Sequence, residues 1–88
     1  MKLIFIGPAA LAKDGGVDYP ALLDNKPLLC HFSYEVLEDI DTEQIQGDAL
    51  DIFNRHQFAL LSLAEQKIMN GAVMAREIHI YSNDLSPG

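Results

Sequence analysis

The stretch VDYPALLDNKPLLCHFS, residues 17–33, decides the fold. Side chains alternate between two faces over 17–22 and again over 28–33, which is typical of strands with one buried face. Between them lies Asp24-Asn25-Lys26-Pro27, whose residue types favour a chain reversal. We therefore predict a β-hairpin. Because Pro20 cannot donate to a strand ladder, it places the first of these strands at a sheet edge or at a bulge.

The residues on either side of the hairpin predict one more strand and a short helix. Residues 2–6 are an apolar, β-favouring run closed by Gly7-Pro8, which predicts a short buried strand. Residues 9–16 are small and typical of a loop. After the hairpin, the Ser33 side chain can accept a hydrogen bond from a first-turn amide, so it predicts the start of a helix over about residues 34–40.

A long helix and a closing strand complete the predicted order β-β-β-α-α-β. The helix spans about residues 48–70 after a polar connection, and Gly71 is its left-handed stop. Residues 77–81 alternate with period two. The predicted fold class is α+β, with a small, mainly antiparallel sheet packed against one long helix in two layers. At 88 residues we expect a single domain over 1–88, with an ordered core at about 2–82 and 83–88 as a tail.

The predicted long helix carries an apolar face wider than one small sheet covers. Its apolar side chains fill an arc of roughly 200° at 100° per residue. Phe58 and Met69 fall in the remaining polar arc, where they should be exposed to solvent. A pair of exposed apolar side chains is compatible with a contact surface, and the alternative is that they are ordinary scattered surface residues. Phe58 and Met69 are therefore the interface candidates, and we expect a homodimer.

Charge excludes several classes of partner and favours another. Thirteen acidic residues against six basic ones give a net charge of −7, which opposes binding to phosphate backbones and to anionic membranes. We expect no nucleic-acid partner and no membrane association. Seven of the acids lie between residues 35 and 51, a stretch without lysine or arginine. That stretch favours a basic protein partner by electrostatic complementarity.

The cysteine count and the N-terminal sequence favour a cytoplasmic location. Cys30 is the single cysteine, so no intramolecular disulfide can form, and a lone thiol suits a reducing compartment. The apolar run before Pro8 is shorter than the roughly 7–15 residues of a signal-peptide core. We expect no cleaved leader.

Two histidines and a glutamate are the candidates for a binding site. His31 and His79 lie on strand faces opposite the apolar side chains, so they share the open face of the sheet if their strands are neighbours. A solvated sheet face is the favoured interpretation, and the speculative alternative is that His31, His79 and Glu77 bind a transition metal. His56 falls on the apolar face of the long helix, where we expect it to be packed. No catalytic constellation is found, and we predict neither an enzyme nor a cofactor.

Several packing motifs resemble a family of small bacterial proteins, domain of unknown function 1488. They are Cys30-His31-Phe32-Ser33-Tyr34-Glu35-Val36-Leu37, Ala49-Leu50-Asp51-Ile52-Phe53 and Ala64-Glu65-Gln66-Lys67-Ile68. The resemblance covers about residues 3–84. It implies a compact α+β domain without an established activity, and some relatives carry a transcriptional-regulator label.

These observations lead to three hypotheses about function. The first is a non-enzymatic, cytosolic protein-interaction or regulatory module. The second is a small metal- or ligand-binding domain that uses the open sheet face. The third and weakest is a transcriptional regulator, which the acidic sequence opposes.

Overall fold

A five-stranded sheet and three helices make up the part of the chain that the computed structural model describes, residues 2–41, 48–71, 73 and 76–81. The sheet order is β1-β3-β4-β5, and β2 also pairs with β3. All pairs are antiparallel except β4 with β5. The bounds are β1 Leu3–Phe5, β2 Ala10–Leu11, β3 Val17–Leu23, β4 Lys26–Phe32, α1 Tyr34–Ile40, α2 Ala49–Arg55, α3 Gln57–Met69 and β5 Glu77–Ile80.

The predicted α+β class is confirmed, whereas the predicted order of elements is wrong in two places. The described residues follow the order β-β-β-β-α-α-α-β instead of β-β-β-α-α-β. The extra strand, β2, lies in the stretch 9–16, whose sequence predicts a loop. The extra helix arises because the predicted long helix is divided. The predicted tail 83–88 and most of the connection after α1 lie outside the described residues.

The hairpin of β3 and β4 forms as predicted and has a two-residue turn. Leu23 pairs with Lys26, so Asp24 and Asn25 make the reversal. Both have positive φ, 53° and 69°. Asparagine and aspartate tolerate this conformation better than other residues with a side chain, and paired positive φ values match the twist of a hairpin.

Pro20 lies in a central strand, so the edge alternative is wrong, and it occupies a break in the ladder between β1 and β2. β3 has β4 on one side, and on the other it has β1 followed by β2. Pro20 falls between the end of β1, which pairs with Ala21, and the start of β2, which pairs with Asp18. Its carbonyl accepts from the amides of Ile6 and Gly7, at 3.0 and 3.1 Å. In an antiparallel ladder the N and C=O of one residue point to the same side. The Pro20 nitrogen, which has no hydrogen to donate, therefore faces the gap between β1 and β2, where no strand needs it as a donor.

The expected long helix is divided at His56 into α2 and α3. His56 has φ −115° and ψ 23°, outside the helical region, although no proline or glycine occurs nearby. The two segments bury separate stripes, Ala49, Ile52 and Phe53 on α2 and Leu60, Ala64 and Ile68 on α3. The fully buried face is narrower than the predicted arc, since Leu50, Leu61 and Leu63 are only partly buried against the core. Ala59, one of the apolar residues of the predicted long helix, is exposed.

A buried carboxylate holds the junction between α2 and α3. Asp41 ends α1 and is 4% exposed. Its Oδ2 accepts a hydrogen bond from Arg55 Nη2 at 3.2 Å, and its Oδ1 lies 3.3 Å from His56 Nε2. His56 is therefore partly buried, as predicted, and it is hydrogen-bonded to Asp41. Asp41 belongs to the stretch 35–51, which the sequence predicts to be an acidic surface.

The core lies between the helices and one face of the sheet. The fully buried side chains of the sheet come from alternating positions, as predicted for β4. They are Val17, Ala21, Leu28, Cys30, Phe32, Ile78 and Ile80. The predicted burial of the first strand is wrong in part, because β1 is an edge strand and Ile4 is exposed. The opposite sheet face carries His31 and His79. Among the described helices, none combines the length and apolar character that a membrane span needs.

Candidate functional site

The open face of the sheet brings His31 and His79 together. The parallel pairing of β4 with β5 puts them directly opposite each other in register. Their ring centroids are 5.4 Å apart, with 60° between the ring planes. The condition stated from the sequence, that their strands be neighbours, is therefore met.

Two carboxylates, Asp18 and Asp14, hold His31, and neither is signalled by a motif. Asp18 is its cross-strand neighbour on β3, and the distance from His31 Nδ1 to Asp18 Oδ1 is 2.6 Å. On the other side of the ring, His31 Nε2 lies 2.9 Å from Asp14 Oδ2. A carboxylate only accepts hydrogen bonds, and a neutral imidazole donates only one. Both contacts are therefore satisfied together by the imidazolium form.

The environment of His31 favours that charged form. Partial burial lowers the pKa of His31, but the hydrogen bond to Asp18 and the charge of Asp14 outweigh it, so the pKa is raised above 6.5. Asp14 lies in the turn before β3, where the Gly16 amide donates to its Oδ1 at 3.0 Å. That hydrogen bond, together with the nearby His31, lowers the pKa of Asp14.

His79 has a different set of neighbours. Its Nε2 lies 3.4 Å from Glu77 Oε2, and its ring stacks on Tyr81 with centroids 6.0 Å apart. Lys67 of α3 lies over the Tyr81 ring and donates to the backbone carbonyl of His79. Glu77, His79 and Tyr81 thus follow one another along β5. Lys67 of α3 lies beyond them, over the Tyr81 ring.

These side chains border a shallow groove of about 390 Å³. Three acids and Lys13 line it, so it attracts cations when His31 is neutral. Within the described residues, no three histidine, cysteine or carboxylate side chains are grouped closely enough to hold a metal ion. His31, His79 and Glu77 therefore lie side by side but do not form a ready three-ligand site, and both ring nitrogens of His31 already face carboxylates.

A second candidate surface is the outer face of α3. Phe58 is 90% exposed and Met69 is 65% exposed, as predicted. They are eleven residues apart, which brings them within about 20° of each other around the helix axis. Because Phe58 is so exposed, almost none of its apolar surface is buried by folding, and its side chain contributes almost nothing to the stability of its own chain.

The acidic stretch is only partly a surface. Glu35, Glu38 and Asp39 are exposed on α1, and Asp48 and Asp51 are exposed at the start of α2. Asp41 is buried, and Glu43 lies outside the described residues. The acidic face proper is therefore centred on α1.

Cys30 is not available for chemistry at the surface. It is fully buried, and this burial raises the pKa of its thiol to about 11. It acts as a small apolar side chain, as predicted from its strand position.

Comparisons with known proteins confirm the resemblance given by the packing motifs. A family model described as "Protein of unknown function (DUF1488)" matches residues 4–79. A crystal structure of a DUF1488-family protein of unknown function from Shewanella loihica PV-4 is similar, with a TM-score of 0.77. The two chains are 22% identical, and the similarity covers 89% of this chain and 90% of that one. No curated protein matches. At this identity the likeness supports the fold alone.

Proposed function

The chain belongs to the DUF1488 family of proteins of unknown function, and we propose that it is a non-enzymatic interaction module of the bacterial cytoplasm that works as a homodimer. The observation that carries the proposal is the exposure of Phe58 on the outer face of α3. Exposed aromatic side chains of this size favour burial against a protein partner.

The described side chains support a role without catalysis. The buried Cys30 thiol is protonated at neutral pH, so it is not a nucleophile. Both ring nitrogens of His31 face carboxylates, which leaves that side chain without a free base. A buried reduced thiol also suits the cytoplasm.

Sedimentation of a matched set of variants tests the homodimer. We expect the wild-type chain to associate with rising concentration and the F58S/M69S variant to remain monomeric. L11S is the control, because Leu11 is also an exposed apolar residue, at 56%, and lies on β2, away from α3. Circular dichroism verifies that all three proteins are folded. Equal association of F58S/M69S and wild type would contradict the proposed surface.

The acidic face of α1 is proposed as a second contact, for a basic protein segment. Glu35, Glu38 and Asp39 are exposed there within little more than one helical turn. A lysine-rich peptide is a suitable probe. Its affinity should fall as salt rises, and should fall further in E35Q/E38Q/D39N. Unchanged binding in that variant would remove this contact from the proposal.

The alternative function is ligand binding on the open sheet face, and the register of His31 with His79 favours it. Calorimetric titration with Zn²⁺ tests it on wild type, H31Q, H79Q and the double variant. Binding that weakens in each single variant and vanishes in the double variant would support a site. Equal heats in all four proteins would exclude it.

A further inference from the structure

The outward side chains of α3 have the spacing of a helix-pairing seam. Phe58, Ser62, Glu65 and Met69 are all exposed, and they are separated by four, three and four residues. This is the spacing of positions that face a partner in paired helices. The buried stripe of α3, which includes Leu60 and Ala64, lies on the opposite side.

The seam is complementary to itself when two copies run in opposite directions. Phe58 and Met69 are symmetric about the point between residues 63 and 64, and so are Ser62 and Glu65. One antiparallel register therefore places each Phe58 against Met69 of the second copy. The same register places each Ser62 hydroxyl against the Glu65 carboxylate of the second copy, a donor against an acceptor. Methionine sulfur against an aromatic ring is a favourable contact.

A parallel pairing of the same helices lacks this match. It would put Glu65 against Glu65 of the second copy, and two carboxylates in one partly desolvated layer repel each other. Charge also favours α3 over other surfaces. The chain has a net charge of −7, but α3 carries one acid, Glu65, and one base, Lys67. The two facing helices therefore carry no net charge, and their approach is not opposed by charge on α3 itself.

We propose that the homodimer forms by antiparallel packing of α3 against α3 of a second copy, with Phe58 on Met69 and Ser62 hydrogen-bonded to Glu65. This inference rests on the proposed function and adds its geometry. A helix of 13 residues is about 20 Å long, so the interface is smaller than the roughly 1,200 Å² of stable complexes. The dimer is therefore weak, and salt strengthens it by screening the net charge.

Cysteine cross-linking with a short bismaleimide tests the register. The single variants F58C and M69C are treated alone and as an equimolar mixture. Because residue 58 faces residue 69 in this geometry, the mixture should cross-link on the order of tenfold faster than either variant alone. N54C, an exposed position on α2, is the control for random collisions, and the buried Cys30 provides a common background.

The outcomes separate this inference from the proposed function. Efficient cross-linking of F58C with itself would overturn the antiparallel register while leaving a dimer through α3. If the mixture of F58C and M69C cross-links no faster than N54C while the protein sediments as a dimer, the dimer does not form through α3 and its interface lies elsewhere. A chain that remains monomeric at all concentrations and salts would overturn both.

Discussion

A β-carbon built on Gly16 would lie 2.2 Å from the carbonyl oxygen of Phe32, because the turn before β3 passes directly over the end of β4. The neighbouring atom is backbone and cannot rotate away. We predict that G16A lowers the free energy of unfolding by about 2 kcal/mol or more, as expected for forced overpacking. Urea denaturation measures it.

The control for G16A is G71A. Gly71 has a φ of 81°, and a β-carbon built there would have nothing within 4 Å. Alanine at this position therefore costs only the backbone strain of about 1 kcal/mol. A smaller loss for G16A than for G71A would contradict the close approach to Phe32.

Stability should depend on pH through His31. Its pKa is raised in the folded chain, so it contributes stability that is fully present below pH 6.5 and is lost as pH rises through the folded value. The free-energy difference between wild type and H31Q should therefore shrink as the pH rises above 6.5. Unfolding curves at several pH values measure it, and a constant difference would show that the imidazolium is not favoured by folding.

The carboxylate of Asp18 should account for part of that dependence. D18N removes the charged acceptor 2.6 Å from His31 Nδ1, so the pKa of His31 should fall. Titration of the histidine ring protons by NMR reports the pKa directly. D24N is a suitable control, because Asp24 lies in the hairpin turn at the far end of β3. An unchanged pKa in D18N would assign the effect to Asp14.

Cys30 should be almost inert in the folded protein. With its pKa raised from 9.0 to about 11, the thiolate fraction at pH 8 falls about a hundredfold, and burial slows access further. Labelling by a disulfide reagent should therefore be at least about a hundredfold slower than in denaturant. Rapid labelling without denaturant would mean that β4 opens readily.

Asp41 should contribute far more to stability than its acidic neighbours. D41A removes a buried acceptor that Arg55 and His56 contact, and we expect a loss of about 2–3 kcal/mol. D39A, at an exposed position two residues earlier, should change the stability by less than about 0.5 kcal/mol. Equal effects of the two substitutions would contradict the role of Asp41 at the junction.

Local patterns were sufficient to predict the hairpin, the capped helix and the closing strand. Asp24 and Asn25 supply the positive φ of a tight turn, and Ser33 Oγ accepts from the Val36 amide at 3.2 Å. These features depend on residues close in sequence. No proline or glycine signals the division at His56, whose side chain contacts Asp41 of another element.

The site was predictable only in part, for the same reason. Alternation placed His31 and His79 on the open face, but their contact required the parallel pairing of β4 with β5. Asp18 could have been found from its cross-strand position in the predicted hairpin. Asp14 had no such signal, since it belongs to an irregular turn whose path depends on the approach of Gly16 to Phe32.

We expect the histidine pair to form late in folding, because it requires the parallel pairing of β5 with β4. Leu29 pairs with Glu77 and Phe32 with Ile80, so each contact closes a loop of roughly fifty residues. The hairpin needs no such closure and can form early. An intermediate with β1 to β4 in place would hold His31 between its two carboxylates, but His79 would still be distant. The ring contact between the two histidines is therefore a natural reporter of the completed fold.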